Sequence, residues 1–129
     1  MLAGLATVTK QITLGTGVTV LSSEDPVRVY QRFATIAALA PGRVEITAGR
    51  GSFIESFPLF GFDLADYEKL FEEKLELLVA LLKEEPVTWQ GETRAALVNQ
   101  QVYPKTEHGI GLRVGVGGSP HSVIRAAKH

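Results

Sequence analysis

The segment Gly49-Arg50-Gly51 combines residue types that suit the binding of an anion. An arginine presents a planar fork of donors that matches phosphate oxygens, and glycine neighbours let the backbone approach an anion closely. The segment follows a predicted strand at 43–48, so the Arg50 side chain is expected to emerge at the carboxyl end of that strand. The alternative is structural: the glycines make a tight turn, and Arg50 pairs with an acid such as Glu55.

A second anion-binding pattern lies at 117–122, with the sequence GGSPHS. Ser119 is a favourable N-cap residue, and Pro120 suits the first position of a helix. The free N–H groups and the dipole at such a helix start attract phosphate. The alternative interpretation is an ordinary capped helix that binds nothing.

Two glycines, Gly15 and Gly17, interrupt the run QITLGTGVTVL at 11–21, which is rich in β-branched residues and predicts a strand. Glycine inside a strand indicates either close approach of the backbone to another group or a β-bulge. Thr16-Gly17-Val18 is therefore predicted either to approach another group closely through its backbone or to form a β-bulge.

The composition excludes several classes of site and partner. The chain has no cysteine, which rules out disulfides and thiolate chemistry, and its three histidines (His108, His121 and His129) are not spaced as metal ligands. A net charge of −1 gives no reason to expect nucleic acid or an anionic membrane as a partner. No run reaches the ~18 apolar residues of a membrane span, and the N-terminus lacks a basic lead-in. We therefore expect a cytoplasmic protein without a metal site.

The elements that must position these residues alternate between strand and helix within one domain, 1–129. The pattern predicts a helix end, strand, helix, strand, helix, hairpin, strand and helix start, at 1–9, 11–21, 26–40, 43–48, 63–83, 86–104, 112–116 and from 117 onward. Helical crossovers between strands imply parallel pairing, so the predicted class is α/β. Phe53, Phe57, Phe60 and Trp89 are expected to pack around the helix at 63–83.

Three long runs resemble the luciferase-like monooxygenases, which are (β/α)8 TIM barrels that use reduced flavin or a deazaflavin. The runs are LGTGVTVLSSEDPVRVYQRFATIAALAPGRVEITAGRGSF, FGFDLADYEKLFEEKLELLVALLKEEPVTWQGE and VGVGGSPHSVIRAA. The resemblance implies that the three strands are the third to fifth of eight, so the chain is a partial barrel. In the family, substrate-pocket residues and often a catalytic histidine lie on the first two strands. No catalytic residue is therefore assigned.

The resemblance also implies roles for the candidate residues. In the family, the arginine at the place of Arg50, beside Gly49, contacts the flavin phosphate. Ser119 and Ser122 align with positions that help to hold that phosphate, whereas Gly118 replaces an acidic residue of bacterial luciferase itself. Gly17-Val18 corresponds to a non-proline cis peptide under the flavin ring. The implied cofactor is FMN, with a deazaflavin coenzyme as the alternative.

Three parallel strands cannot close a barrel, and their open edges favour aggregation unless they are covered. We therefore expect a homodimer or higher oligomer, with the neighbours of Phe33 and Phe71 near its interface. The expected function is that of a flavin-dependent monooxygenase relative that uses reduced flavin and oxygen. Two alternatives stay open: a non-catalytic flavin- or phosphate-binding protein, and an inactive truncated remnant. The sequence does not decide whether the chain is an enzyme.

Overall fold

A computed structural model of the chain describes residues 1–117 and, beyond them, residues 120, 123, 124 and 127. The helices of the first 117 residues are α1 (Leu2–Val8), α2 (Pro26–Leu39), α3 (Ser56–Leu59) and α4 (Tyr67–Leu82). The strands are β1 (Thr19–Val20), β2 (Glu45–Gly49), β3 (Val87–Trp89), β4 (Leu97–Gln100) and β5 (Gly111–Val114). The four residues described beyond 117 are helical, which agrees with the helix predicted there.

The main sheet has the order β1-β2-β5, and both pairings are parallel. Val20 pairs with Gly49, and Ala48 pairs with Val114, so β2 is the central strand. The predicted parallel arrangement is confirmed. The sheet covers only part of the predicted first strand, because the chain leaves the ladder between the isolated bridge at Leu14 and the start of β1.

Helix α2 forms where the sequence predicts it. The Asp25 carboxylate caps its start by accepting hydrogen bonds from the backbone N–H groups of Val27 (2.9 Å) and Arg28 (3.2 Å), and Pro26 occupies the first turn. The helix ends before Gly42, whose φ of +70° is a conformation that glycine adopts without a steric penalty.

The core lies between the sheet and the helices α2 and α4. Its α4 side consists of Leu70, Phe71, Leu75, Leu77, Leu78 and Leu81, all of which are buried. Phe33 of α2 is only 5% exposed and Phe71 only 1%. Both rings thus pack in the chain's own core, and the prediction that their neighbours lie near a subunit interface is not tested by a single chain.

The segment after α4 forms the predicted hairpin outside the main sheet. Strands β3 and β4 pair antiparallel, with Val87 opposite Gln100 and Trp89 opposite Leu97. The hairpin turn is tied to α4 because the Glu73 carboxylate accepts hydrogen bonds from the Thr93 hydroxyl (2.7 Å) and from the backbone N–H groups of Glu92 and Thr93.

Glu84, just beyond α4, connects three parts of the chain. Its Oε1 accepts hydrogen bonds from the Tyr30 hydroxyl of α2 (2.8 Å) and from the backbone N–H (3.0 Å) and hydroxyl (2.9 Å) of Thr106. Burial opposes ionisation, but these hydrogen bonds outweigh it and hold the pKa of Glu84 below its ordinary value. The charged carboxylate therefore stabilises the folded state.

We predict that Glu84→Gln lowers the free energy of unfolding by about 1 kcal/mol at pH 7, because amide oxygen is a weaker acceptor than carboxylate. Because the pKa of Glu84 is lower in the folded protein than in the unfolded chain, its charge stabilises the fold at pH values above the unfolded-state pKa. The loss of unfolding free energy in the variant should therefore shrink as the pH falls through the folded-state pKa. Urea unfolding at a series of pH values measures this. Glu85→Gln, at the exposed neighbouring position, is the matched control and should change little. A deficit that is independent of pH would contradict the proposed role of the charge.

Candidate functional site

The carboxyl ends of the three parallel strands meet at one edge of the sheet, where ligands bind in open α/β sheets and barrels. The segments that leave this edge surround a cavity of about 410 Å³. Its lining residues are Val18, Gly49, Arg50, Gly51, Ser52, Tyr67, Gly115, Val116 and Gly117. The predicted candidates Val18, Gly49 and Arg50 are thus brought together.

Two glycines at this edge lie so close to valine side chains that any larger residue would clash with them. A Cβ atom at Gly49 would lie 2.6 Å from Cγ2 of Val18. Gly51 has a φ of +79°, and a Cβ atom there would lie 2.7 Å from Cγ1 of Val20. The close approach of the two chain segments therefore requires glycine on both sides of Arg50.

The Arg50 side chain is held in the cavity wall by two residues at the start of α4. Its Nη1 forms an ion pair with Glu68, and its guanidinium lies over the Tyr67 ring, 5.2 Å from the centroid. The Tyr67 hydroxyl donates to the carbonyl oxygen of Gly51 at 2.8 Å. Arg50 thus does pair with an acid, as the alternative to anion binding predicted, but the acid is Glu68 rather than Glu55. The ion pair with Glu68 leaves other donors of the guanidinium for an anion, since arginine has five N–H groups.

The chain that leads into the second anion-binding pattern also reaches Arg50. A Cβ atom added at Gly117 would lie 3.9 Å from Nη2 of Arg50. Pro120 is helical, as expected for the first turn of the last helix. The three remaining candidates, Gly118, Ser119 and Ser122, lie outside the described residues.

The peptide bond between Gly17 and Val18 is cis, as the resemblance implied. Val18 is 41% exposed and lines the cavity, and no described heavy atom lies within 4 Å of a Cβ position at Gly17. Next to this bond, the hydroxyls of Thr16 and Thr19 share a hydrogen bond of 2.8 Å. Val18 is thus the residue of this segment that faces the space beside Arg50.

An apolar cavity of about 380 Å³ adjoins the first one and shares Val18, Gly51 and Ser52 with it. Phe53 and Phe60 line it and are 72% and 62% exposed. Only part of the predicted aromatic packing is therefore found, since Phe57 and Trp89 are buried whereas these two rings are not.

The structure adds Tyr67 and Glu68 to the candidate residues. The sequence signal for them was the helix predicted at 63–83, whose first turns hold both residues. Within the described part of the chain no cluster of histidine and acidic residues could hold a metal ion. No helix in the described part of the chain is long and apolar enough to cross a membrane.

Comparison with known proteins identifies the family to which the chain is similar. The family model for luciferase-like monooxygenases matches residues 1–129. The chain is 32% identical over 126 residues to the 4-hydroxyprotoasukamycin monooxygenase of Streptomyces nodosus subsp. asukaensis, covering 94% of this chain and 33% of that protein. It is 31% identical over 118 residues to an F420-dependent glucose-6-phosphate dehydrogenase of Kineococcus radiotolerans, covering 88% and 34%. The chain spans about a third of the length of these relatives.

Solved structures share the fold. The monooxygenase RslO1 from Streptomyces bottropensis superposes with a TM-score of 0.86 at 25% identity, over 98% of this chain and 39% of that one. The oxygenating constituent of a 3,6-diketocamphane monooxygenase from Pseudomonas putida, in complex with FMN, gives a TM-score of 0.71 at 18% identity, over 88% and 34%. The fold is therefore a part of the luciferase-like TIM barrel, and the described strands do not close into a barrel.

We predict that Glu68→Gln strengthens the binding of inorganic phosphate about two- to fivefold, because the carboxylate competes for Arg50 and repels an anion. Titration calorimetry at low ionic strength measures this effect. Glu76→Gln removes the same charge further along α4, where the residue is exposed, and should leave binding unchanged. Weaker phosphate binding by the Glu68 variant would show that Glu68 orients Arg50 instead of competing for it.

Proposed function

The chain belongs to the luciferase-like monooxygenase family, and on that premise we propose that it binds the phosphate of a flavin as part of a flavin-dependent oxidoreductase. The observation that carries the proposal is the meeting of Val18, Arg50 and Gly117 around one cavity. An arginine fork beside exposed backbone suits a phosphate, and an adjoining apolar wall suits a flat ring system.

The proposed cofactor is FMN, and a deazaflavin coenzyme is the alternative. FMN is supported by the fold neighbour from Pseudomonas putida that was solved with it. The deazaflavin is supported by the F420-dependent relative from Kineococcus radiotolerans. Titration of the protein with each compound decides between them.

In this proposal the flavin, when bound in its reduced form, supplies the redox chemistry with oxygen. Arg50 would hold its phosphate, the glycines flanking Arg50 would let the backbone approach, and Val18 would contribute to the wall beside it. Glu68 limits the positive charge of the site while the cavity is empty. These roles fix the position of a cofactor but transfer no proton.

A second candidate function, non-catalytic flavin or phosphate binding, is supported by the cavity lining. The described lining holds Arg50 and Tyr67 as its titratable groups, and the Tyr67 hydroxyl is engaged with the Gly51 carbonyl. His108 lies near Gly42, before the start of β2 and thus at the opposite end of the strand. Oxidation of reduced flavin coupled to a substrate distinguishes catalysis from binding alone.

We predict that Arg50→Ala weakens FMN binding by about 1.5–3 kcal/mol, the range for a hydrogen bond to a charged group, and barely affects riboflavin, which has no phosphate. Flavin fluorescence quenching measures both ligands. Arg28→Ala, at an exposed arginine of α2, is the matched control. Equal losses for both ligands would mean that Arg50 acts on folding or on the ring. If the unmodified protein binds neither ligand, the inactive-remnant alternative is favoured.

We also propose that the chain assembles with itself. Within the described part of the chain, neither the outer edge of β1 nor that of β5 has a partner strand. Unpaired N–H and C=O groups along such edges favour pairing with another chain. Exchange between identical subunits is a low-cost way to cover them.

Sedimentation at low micromolar concentration should therefore give a species heavier than the 13.9 kDa single chain. Added FMN serves as a control, since a cofactor bound at the carboxyl edge leaves the strand edges open. A stable monomer under these conditions would overturn the assembly proposal and leave the cofactor proposal untouched.

A further inference from the structure

Lys74 of α4 is a buried cation outside the candidate cofactor site. The residue is 3% exposed, and its Nζ donates a hydrogen bond of 2.6 Å to the carbonyl oxygen of Ser22. Nζ also lies 4.1 Å from the centroid of the Phe62 ring. None of the ion pairs found among the described residues includes Lys74. A buried lysine without a paired carboxylate is uncommon, because burying an unpaired charge is costly.

The amine faces a cavity of about 250 Å³ that differs from the one beside Arg50. Its lining consists of Ser23, Glu24, Asp25, Phe60, Phe62, Lys74, Thr93 and Arg94. The other charges there are already matched: Glu24 pairs with Arg32 (2.6 Å) and Asp25 with Arg94 (3.0 Å). The volume lies just below the ~300–1,000 Å³ range of ligand pockets, so the cavity suits a small molecule rather than a drug-sized one.

Burial lowers the pKa of Lys74 to about 8, although the nearby carboxylates of Asp25 and Glu24 act in the opposite direction. At pH 7 the fraction of neutral amine is therefore about 300-fold larger than for an ordinary lysine. The neutral amine is the nucleophilic form, and desolvation in an apolar pocket is one known way to activate it.

We propose that Lys74 is a reactive amine that condenses with a small uncharged aldehyde or ketone in this cavity. The Nζ lone pair attacks the carbonyl carbon, and the carbinolamine loses water to give an iminium. The balance is R–CHO plus Lys–NH3⁺ giving R–CH=NH⁺–Lys plus H2O, without oxidation or reduction. Glu24 lines the cavity and uses only one oxygen in its ion pair with Arg32, so it can accept and return the proton that moves between nitrogen and the departing water.

The charges around the cavity favour a carbonyl compound over other electrophiles. The iminium keeps the positive charge of Lys74 beside Glu24 and Asp25, so the electrostatic environment is preserved. A carbamate formed with carbon dioxide would place a negative charge next to the same two carboxylates, which is unfavourable. This inference does not depend on flavin binding.

The test is reductive alkylation of the folded protein with propanal and sodium cyanoborohydride at pH 7, followed by peptide mass spectrometry. Cyanoborohydride supplies the hydride that converts the iminium to a stable secondary amine. We expect Lys74 to be alkylated at least tenfold faster than Lys83, the exposed lysine just after α4, because its neutral fraction is larger.

Two controls separate a built cavity from general reactivity. An aldehyde too bulky for the cavity, one attached to a dextran polymer, should alkylate Lys83 but not Lys74. Unfolding the protein in urea should equalise the two lysines. Lys74→Met, which keeps the apolar stem, should abolish only the fast event. Alkylation of Lys74 no faster than that of Lys83 in the folded wild-type protein would overturn the proposal, as would equal rates with both aldehydes.

Discussion

The parallel pairing of β2 with a strand on each side is the constraint on which the candidate site depends. Because Val20 pairs with Gly49 and Ala48 pairs with Val114, the three strands end at the same level. Val18, just before β1, and Arg50 and Gly117, after β2 and β5, therefore lie around one small volume. A shift of one residue in either register would turn each side chain of the shifted strand to the opposite face of the sheet and separate these groups.

The α4 helix connects this edge to the core, and the two cations that it contacts or carries, Arg50 and Lys74, lie in different environments. At its start, Tyr67 and Glu68 contact Arg50, whose side chain stays 20% exposed. Two turns later, Lys74 is buried among the leucines and bonds to the Ser22 carbonyl just after β1. The Ser22 hydroxyl is itself buried without a described partner, so polar groups are concentrated where α4 crosses the end of β1.

The sequence predicts the local features better than the long-range ones. Helix α2 could be predicted because Asp25 and Pro26 determine its start through contacts within one turn. The strand at 11–21 was predicted too long, since only the bridge at Leu14 and the residues Thr19–Val20 join the sheet, and the β propensity of the run does not show where the chain leaves the ladder. The position of Arg50 was predictable, but its partner Glu68 was not. That contact depends on how α4 crosses the sheet, which no local pattern encodes.

The difference between Arg50 and Lys74 follows from the chemistry of the two side chains. A guanidinium stays charged in any protein environment, so Arg50 can hold an anion or exchange it for Glu68 but cannot act as a nucleophile. An ammonium loses its proton when burial makes the charge costly, and Lys74 lies where burial outweighs the attraction of Asp25 and Glu24. Exchanging the two residues would therefore remove both properties: a buried guanidinium has no neutral form to react, and an exposed lysine has no planar fork. The depth at which each cation lies, together with the type of its side chain, therefore determines which of the two proposed roles it could serve.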